Sequence, residues 1–208
     1  SPVNVSPAST TTYTVIGTNA NGCTNTATRT ITVAACSTST VTVKAYIQGY
    51  YIGAGFMTPV LANQGVGVSG VDVDNVTIEL HNTSFPFATA HTFTGMLKTN
   101  GNVVCSFPGA INGSSFYIVF KHRNAIQTWS KNPVLMSNGM TYDFTNAQTK
   151  AFGDNQISLN VANTIWGMYS GDINQDENMD LADFAILEAG ILNFDFGYQT
   201  TDLDGNGN

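Results

Sequence analysis

Charge is scarce in this chain. Asp, Glu, Lys and Arg make up 10% of its 208 residues, and Lys plus Arg number seven. A nucleic-acid footprint needs a basic face, so phosphate backbones are not expected partners. The three cysteines, Cys23, Cys36 and Cys105, form no C-x-x-C, and His81, His91 and His122 have no zinc-ligand spacing. Sequence-coded zinc and thioredoxin chemistry are thereby set aside. No H-E-x-x-H, G-x-S-x-G, P-loop or G-x-G-x-x-G string appears, so nothing in the motifs points to an enzyme. No apolar run reaches the ~18 residues of a transmembrane helix, and no basic, apolar leader opens the chain. The start at Ser1 reads as a mature or excised segment.

What is present is globular in composition, with 42% apolar and 11% aromatic residues and 20 glycines. The length allows one or two domains, each able to bury a core. The net charge is −7, and it is unevenly spread. Residues 1–171 carry seven bases against five acids, giving +2, whereas residues 172–208 carry nine carboxylates and no base, giving −9. Carboxylates so concentrated repel one another unless a cation neutralises them.

Residues 1–34 form a separate texture, with ten threonines and one charge, Arg29. Tyr13 and Val15, then Ala27, Arg29, Ile31 and Val33, alternate with Thr, the period of half-buried strands. The N-A-N-G turn at 19–22 joins them as a hairpin. Because a hairpin alone is marginal, residues 1–36 are expected to close a sandwich that begins upstream. The T-T-T-Y-T-V segment followed by N-G-C resembles the closing strands of immunoglobulin-like repeats in very large bacterial surface proteins. A Cys23–Cys36 bridge would have to span about 30 Å of strand against the roughly 4.4–6.8 Å of a disulfide. Cys23 is expected to pair outside the chain, and Cys105 to be a small buried residue.

A Ser/Thr run at 37–40 reads as a linker to a second body, residues 41–170. Strands are expected at 41–48, 76–82, 91–98, 103–107, 116–122 and 141–144, all rich in β-branched and aromatic residues. Asn-Gly turns lie between several of them, at T-N-G-N, I-N-G-S and S-N-G-M, so the expectation is an antiparallel β-sandwich. The order V-T-I-E-L, L-K-T-N-G-N, F-P-G and S-F-Y-I-V-F resembles transthyretin-like or Cna-B-like sandwiches. The strings G-Y-Y-I-G-A-G-F-M-T-P-V-L, F-K-H-R-N-A-I-Q-T-W-S and W-G-M-Y-S-G-D-I-N-Q-D resemble a module near the C-terminus of large secreted proteins of Bacteroidota. That resemblance implies a cell-surface or secreted, adhesin-like protein exported by the type IX system, with the secretion or outer-membrane attachment machinery as partner.

The chemistry is concentrated in D-I-N-Q-D-E-N-M-D-L-A-D, residues 172–183. Calcium takes six to eight oxygens, and a 12-residue loop supplies them from places 1, 3, 5, 7, 9 and 12. Those places hold Asp172, Asn174, Asp176, Asn178 (through its carbonyl), Asp180 (through a water) and Asp183. An amphipathic helix is expected to follow, with Phe184, Leu187, Ile191 and Phe194 on one face and Met179 pointing inward. D-L-D-G-N-G-N, thirty residues on, places Asp202, Asp204 and Asn206 at places 1, 3 and 5 of a second loop, with Gly207 at place 6.

The pair resembles a dockerin, two calcium loops that each open a helix, so residues 171–208 are read as a dockerin-like helical calcium module. Glu177 stands at place 6 of the first loop, where glycine is usual. A non-glycine residue turned left-handed there costs about 1–2 kcal/mol, so the first site is expected to bind weakly. Aspartate at place 12 is usual in dockerin-like loops. The last ligands of the second loop would fall beyond Asn208, so the sequence reads as a section of a larger protein.

Two further clusters leave alternatives open. Lys121, His122, Arg123 and Asn124 form a basic corner that would grip a carboxylate or sugar, or else discourage strand pairing at a sheet edge, with Trp129 in the core. Tyr46, Tyr50, Tyr51 and Phe56 would form a glycan-stacking platform or pack inside. The sequence therefore supports a non-catalytic, calcium-binding region serving structure, sorting or attachment. The alternative is an accessory module of a secreted polysaccharide-degrading enzyme that binds a glycan or a cohesin-like partner.

Overall fold

The computed structural model describes residues 4–33 and 37–207, which fall into two units, Ser1–Ser37 and Thr38–Asn208. In the first unit, strands β1 (Thr11–Thr18) and β2 (Thr24–Ile31) pair antiparallel from Thr11↔Ile31 to Thr18↔Thr24. The turn closes because the Asn19 side-chain oxygen accepts the amides of Asn21 at 3.0 Å and Cys23 at 2.9 Å. The alternation expected to bury one face does not do so: Val15 and Ile16 are 68% and 64% exposed. Among the described residues of this unit no second layer covers the two strands. Cys23 is a free, exposed thiol among the described residues, and Cys36 lies outside them.

The second unit is mainly β. Its principal strands are β3 (Thr38–Lys44), β4 (Asp72–His81), β5 (Thr89–Lys98), β6 (Asn102–Pro108), β7 (Ser115–His122), β8 (Ala125–Trp129) and β9 (Met140–Asp143). One sheet runs β8-β7-β4-β5, with Val134–Leu135 also pairing to β7; the other runs β9-β3-β6. These ladders are antiparallel except β9 on β3, which is parallel from Met140↔Val41 to Asp143↔Lys44. Val41, Val43, Val103, Cys105 and Phe107 from one sheet share a buried core with Val76, Ile78, Leu80, Leu97, Ile118 and Phe120 from the other. Two sheets over one core are consistent with a β-sandwich.

All six segments read as strands contain a strand. The Ser/Thr run at 37–40 is not a free linker, however: β3 begins at Thr38, and the buried Ser39 hydroxyl donates to the Asn112 side-chain oxygen at 2.8 Å. Cys105 is buried as expected, and burial pushes its thiol up to about 12, which keeps it protonated and unreactive at neutral pH. No helix among the described residues is long and apolar enough to cross a membrane.

Candidate metal centre

The backbone builds this site before any side chain is considered. A helix spans Leu181–Asn193, and Asp180 caps it: its carboxylate accepts the Ala182 amide at 2.7 Å, while the Asp183 carboxylate accepts the Asp180 amide at 3.0 Å. Asp183 also accepts the amides of Ile173 at 2.7 Å and Asn174 at 3.1 Å. One carboxylate thus ties the start of the 172–183 loop to the start of the helix. Those three amides outweigh the opposing effect of burial and hold the Asp183 carboxyl below its usual range.

At the other end of the loop, Asp172 accepts the amides of Asp176 at 3.2 Å and Glu177 at 3.3 Å. The Asp176 backbone amide donates to the Asn174 side-chain oxygen at 2.9 Å, and the Asn174 side-chain amide donates to the Asp176 carboxylate at 2.9 Å. Carboxylate oxygens of Asp172, Asp176 and Asp183 come within 4.8 Å of one another. Oxygens on one calcium, each about 2.3–2.6 Å away, are at most roughly 4.6–5.2 Å apart, so these three fit a single ion. Burial, followed by other influences that include the nearby Asp183 charge, pushes the Asp172 carboxyl up, and a divalent cation would reverse that.

The second loop repeats the first. Asp202 accepts the amides of Asn206 and Gly207, each at 3.2 Å, matching Asp172 four and five residues on. The Asp204 carboxylate accepts the Asn206 backbone amide at 3.1 Å, as Asn174 accepts that of Asp176, and the side chains at places 3 and 5 are bonded in both loops, here with Asn206 donating to Asp204 at 2.7 Å. The backbone is left-handed at places 4 and 6 of both loops: φ is 61° at Gln175 and 70° at Glu177, against 75° at Gly205 and 85° at Gly207. Glycine carries that conformation in the second loop without strain; glutamine and glutamate carry it in the first. Replacing Glu177 with Gly is expected to stabilise the first loop by up to about 1 kcal/mol, read as a higher melting temperature, with a tighter calcium midpoint.

The structure brings together Asp172, Asp176 and Asp183. Asn174 and Asn178 brace the loop, the Asn178 amide donating to Asp176 at 2.9 Å, and Asp180 is engaged as the helix cap. Asp202, Asp204 and Asn206 lie together in the second loop. Met179 is 44% exposed, Phe184 and Ile191 are 57% and 66% exposed, and Leu187 is half-buried. Phe194 stands at the left-handed C-cap, outside the helix. Among the described residues one long helix is present where the dockerin likeness implies two, so the two-helix module is not shown.

Composition gave no sign of how the acidic segment is held. Residues 198–207 pack on the sheets through a buried polar network. Asp74, fully buried on β4, accepts from the Arg123 Nε at 2.7 Å, from the His122 Nε2 at 3.1 Å and from the Tyr198 hydroxyl. Arg123 also donates to the Tyr50 hydroxyl at 2.8 Å and to the Gln199 carbonyl, and its guanidinium lies 4.3 Å from the Tyr198 ring centre. Asn124 donates to the Asp202 carbonyl at 3.0 Å, and the Gln64 side chain reaches the Asp202 carboxylate. Gly49 lies so close to Leu203 that a Cβ would sit 1.9 Å from its carbonyl oxygen.

The basic corner therefore does grip a carboxylate, but an internal one. It is no edge guard, because β7 is paired on both sides by β4 and β8. Tyr46 and Tyr50 are buried in the core, so the four-residue aromatic platform is not a surface feature.

Electrostatics make this network acid-sensitive. Burial favours protonation of Asp74, but the bonds from His122, Tyr198 and Arg123 win and hold its carboxyl at about 2. Burial pushes His122 below its usual range, and its Nδ1 faces the Asn124 amide at 3.5 Å while Nε2 faces Asp74, the neutral tautomer. Both groups bind protons more readily unfolded than folded. Stability is therefore expected to fall as pH drops below about 6.5 through His122, and again from about 4 toward 2 through Asp74, by roughly 2 kcal/mol for the latter. Urea midpoints between pH 7 and pH 3 check this; a flat profile would contradict it.

No protein-family model and no curated protein sequence matches this chain.

Proposed function

We propose that this region is a non-catalytic calcium-binding module of an exported surface protein, in which calcium orders the acidic segment against the β-sheets. The observation that carries the reading is the second loop's repetition, thirty residues on, of the first loop's hydrogen bonds and left-handed places. Asp172, Asn174, Asp176, Asn178, Asp180 and Asp183 would hold one ion. Asp202, Asp204 and Asn206 would begin a second site. Calcium supplies positive charge where carboxylates crowd, and binding to the folded state adds to folding free energy.

The dockerin-like and transthyretin-like or immunoglobulin-like identities, the cell-surface location and attachment through the type IX machinery rest on the sequence resemblance. The role that follows is a folded, ion-hardened region presented to sorting or attachment machinery. Secretion of the parent protein after deletion of residues 41–208 tests that role; undiminished export would contradict it.

For calcium itself, thermal melts of the chain in chelator and in rising calcium are the test. Extracellular modules bind at about 0.1–1 mM, and a hundredfold excess over Kd stabilises by about 2.7 kcal/mol. At about 2–4 °C per kcal/mol for a chain of this size, the expected rise is roughly 5–10 °C. Unchanged melting would contradict the proposal.

A further inference from the structure

A second site lies away from the acidic cluster. Phe87, Tyr117, Gln127, Trp129, Phe152 and Glu177 line an open cleft of about 460 Å³. We propose that this cleft binds a neutral oligosaccharide.

Four of the six lining residues are aromatic, and they come from separate parts of the fold: the β4–β5 connection, β7, β8 and the turn at Phe152. The rings form a continuous run. Phe87 lies 5.9 Å from Tyr117, Tyr117 lies 6.0 Å from Trp129, and Phe85, 86% exposed, extends the run 6.3 Å beyond Phe87. Phe87 in the run is 39% exposed and Phe152, elsewhere in the lining, 64%, so the cleft presents ring surface to solvent where packing would have hidden it.

The walls are held from behind. Trp129 packs on the His81 ring at 4.4 Å, and the two nitrogens of that ring engage the Phe87 carbonyl at 2.6 Å and the Glu79 carboxylate at 2.8 Å. Phe87 and Glu177 both have left-handed backbones, φ 55° and 70°. For a residue as bulky as Phe that is a strained conformation, of the kind that concentrates at ligand clamps.

The polar side of the cleft selects the ligand class. The Gln127 side-chain amide donates to the Glu177 carboxylate at 2.9 Å, which leaves further acceptor capacity on the carboxylate and on the amide oxygen, and one N–H free to donate. Vicinal hydroxyls, each donor and acceptor, match such a pair, while the weakly polar ring faces of a sugar lie on aromatic walls. No Lys or Arg lines the cleft, so anions are disfavoured. A proline-rich peptide offers mainly carbonyl acceptors, which a carboxylate repels. A methylated ammonium would suit the aromatic faces but would leave most of the cleft unfilled. Glu177 is place 6 of the proposed calcium loop, so the polar side of the cleft rests on that reading, whereas the aromatic wall lies wholly outside the loop.

The test is titration of the chain, in calcium, with cellohexaose, xylohexaose and mannohexaose, alongside a proline-rich decapeptide and phosphocholine. Binding of at least one hexasaccharide is expected, weakened about tenfold by Phe152→Ala and by Glu177→Gln. Both positions are exposed enough for melting to stay near that of the unaltered chain, which must be measured in parallel. Phe87→Ala should act in the same direction. Three results would each overturn the proposal: no hexasaccharide binding at about 10 mM, binding unaffected by all three substitutions, or binding of the peptide or phosphocholine in preference to the sugars.

Discussion

Asp74→Ala is expected to destabilise the chain by about 3–5 kcal/mol, the cost of removing one partner from a buried charged pair. The carboxylate is fully buried and is the common acceptor for Arg123, His122 and Tyr198. Without it, the Arg123 guanidinium keeps its contacts to Tyr50 and Gln199 but loses its counter-charge. The Tyr198 hydroxyl, which burial and Asp74 push up to about 12, loses its acceptor as well. The variant should melt about 10 °C or more below the unaltered chain and expose residues 198–207 to limited proteolysis. Asp74→Asn keeps the shape and part of the hydrogen bonding, so its loss should be smaller. A change under about 1 kcal/mol for the alanine variant would mean that the network is not what fastens the acidic segment.

Gly49→Ala is the second large effect, and it works by collision. The added methyl would meet the Leu203 carbonyl oxygen at 1.9 Å and its carbon at 2.9 Å, both backbone atoms without a rotamer to move. The Gly49 side, in the 3-10 turn Gln48–Tyr50, is fixed too, since the Gly49 amide donates to the Ser170 hydroxyl at 3.0 Å. The second loop must therefore lift away, at a cost of about 3 kcal/mol, the upper end of what overpacking usually does. Hydrogen exchange should show faster amides at Gly205, Asn206 and Gly207, while the first loop, held by its own helix cap, stays protected. Unchanged exchange at those three amides would contradict the docking described here.

The sequence made the strands legible because their period is local. Residues 76–82 and 116–122 carry β-branched and aromatic side chains that must be buried, and both became central strands. The loop ligands were legible for the same reason: a calcium loop is twelve consecutive residues, and Asp172, Asp176 and Asp183 meet within it. What escaped was everything long-range. Asp74 and Tyr198 are 124 residues apart, and no spacing rule joins them.

Trp129 read as a core residue and turned out to be half-buried, because its ring leans on His81 at the sheet margin. The helix after the first loop has the expected start, since its cap is encoded by Asp180 and Asp183. Its apolar face is covered only in part, with Phe184 and Ile191 exposed and Leu187 half-buried, because amphipathic spacing specifies a face and not what covers it.

Amide NMR during a calcium titration tests, residue by residue, the proposal that the oxygens of the 172–183 loop hold calcium. The signals of Ile173, Asp176, Glu177 and Asp183 are expected to shift together and saturate at about 0.1–1 mM calcium. In Asp172→Asn combined with Asp183→Asn, those shifts should vanish. If calcium moves other signals and leaves these four in place, or moves them equally in the double variant, the loop is not the ion's site.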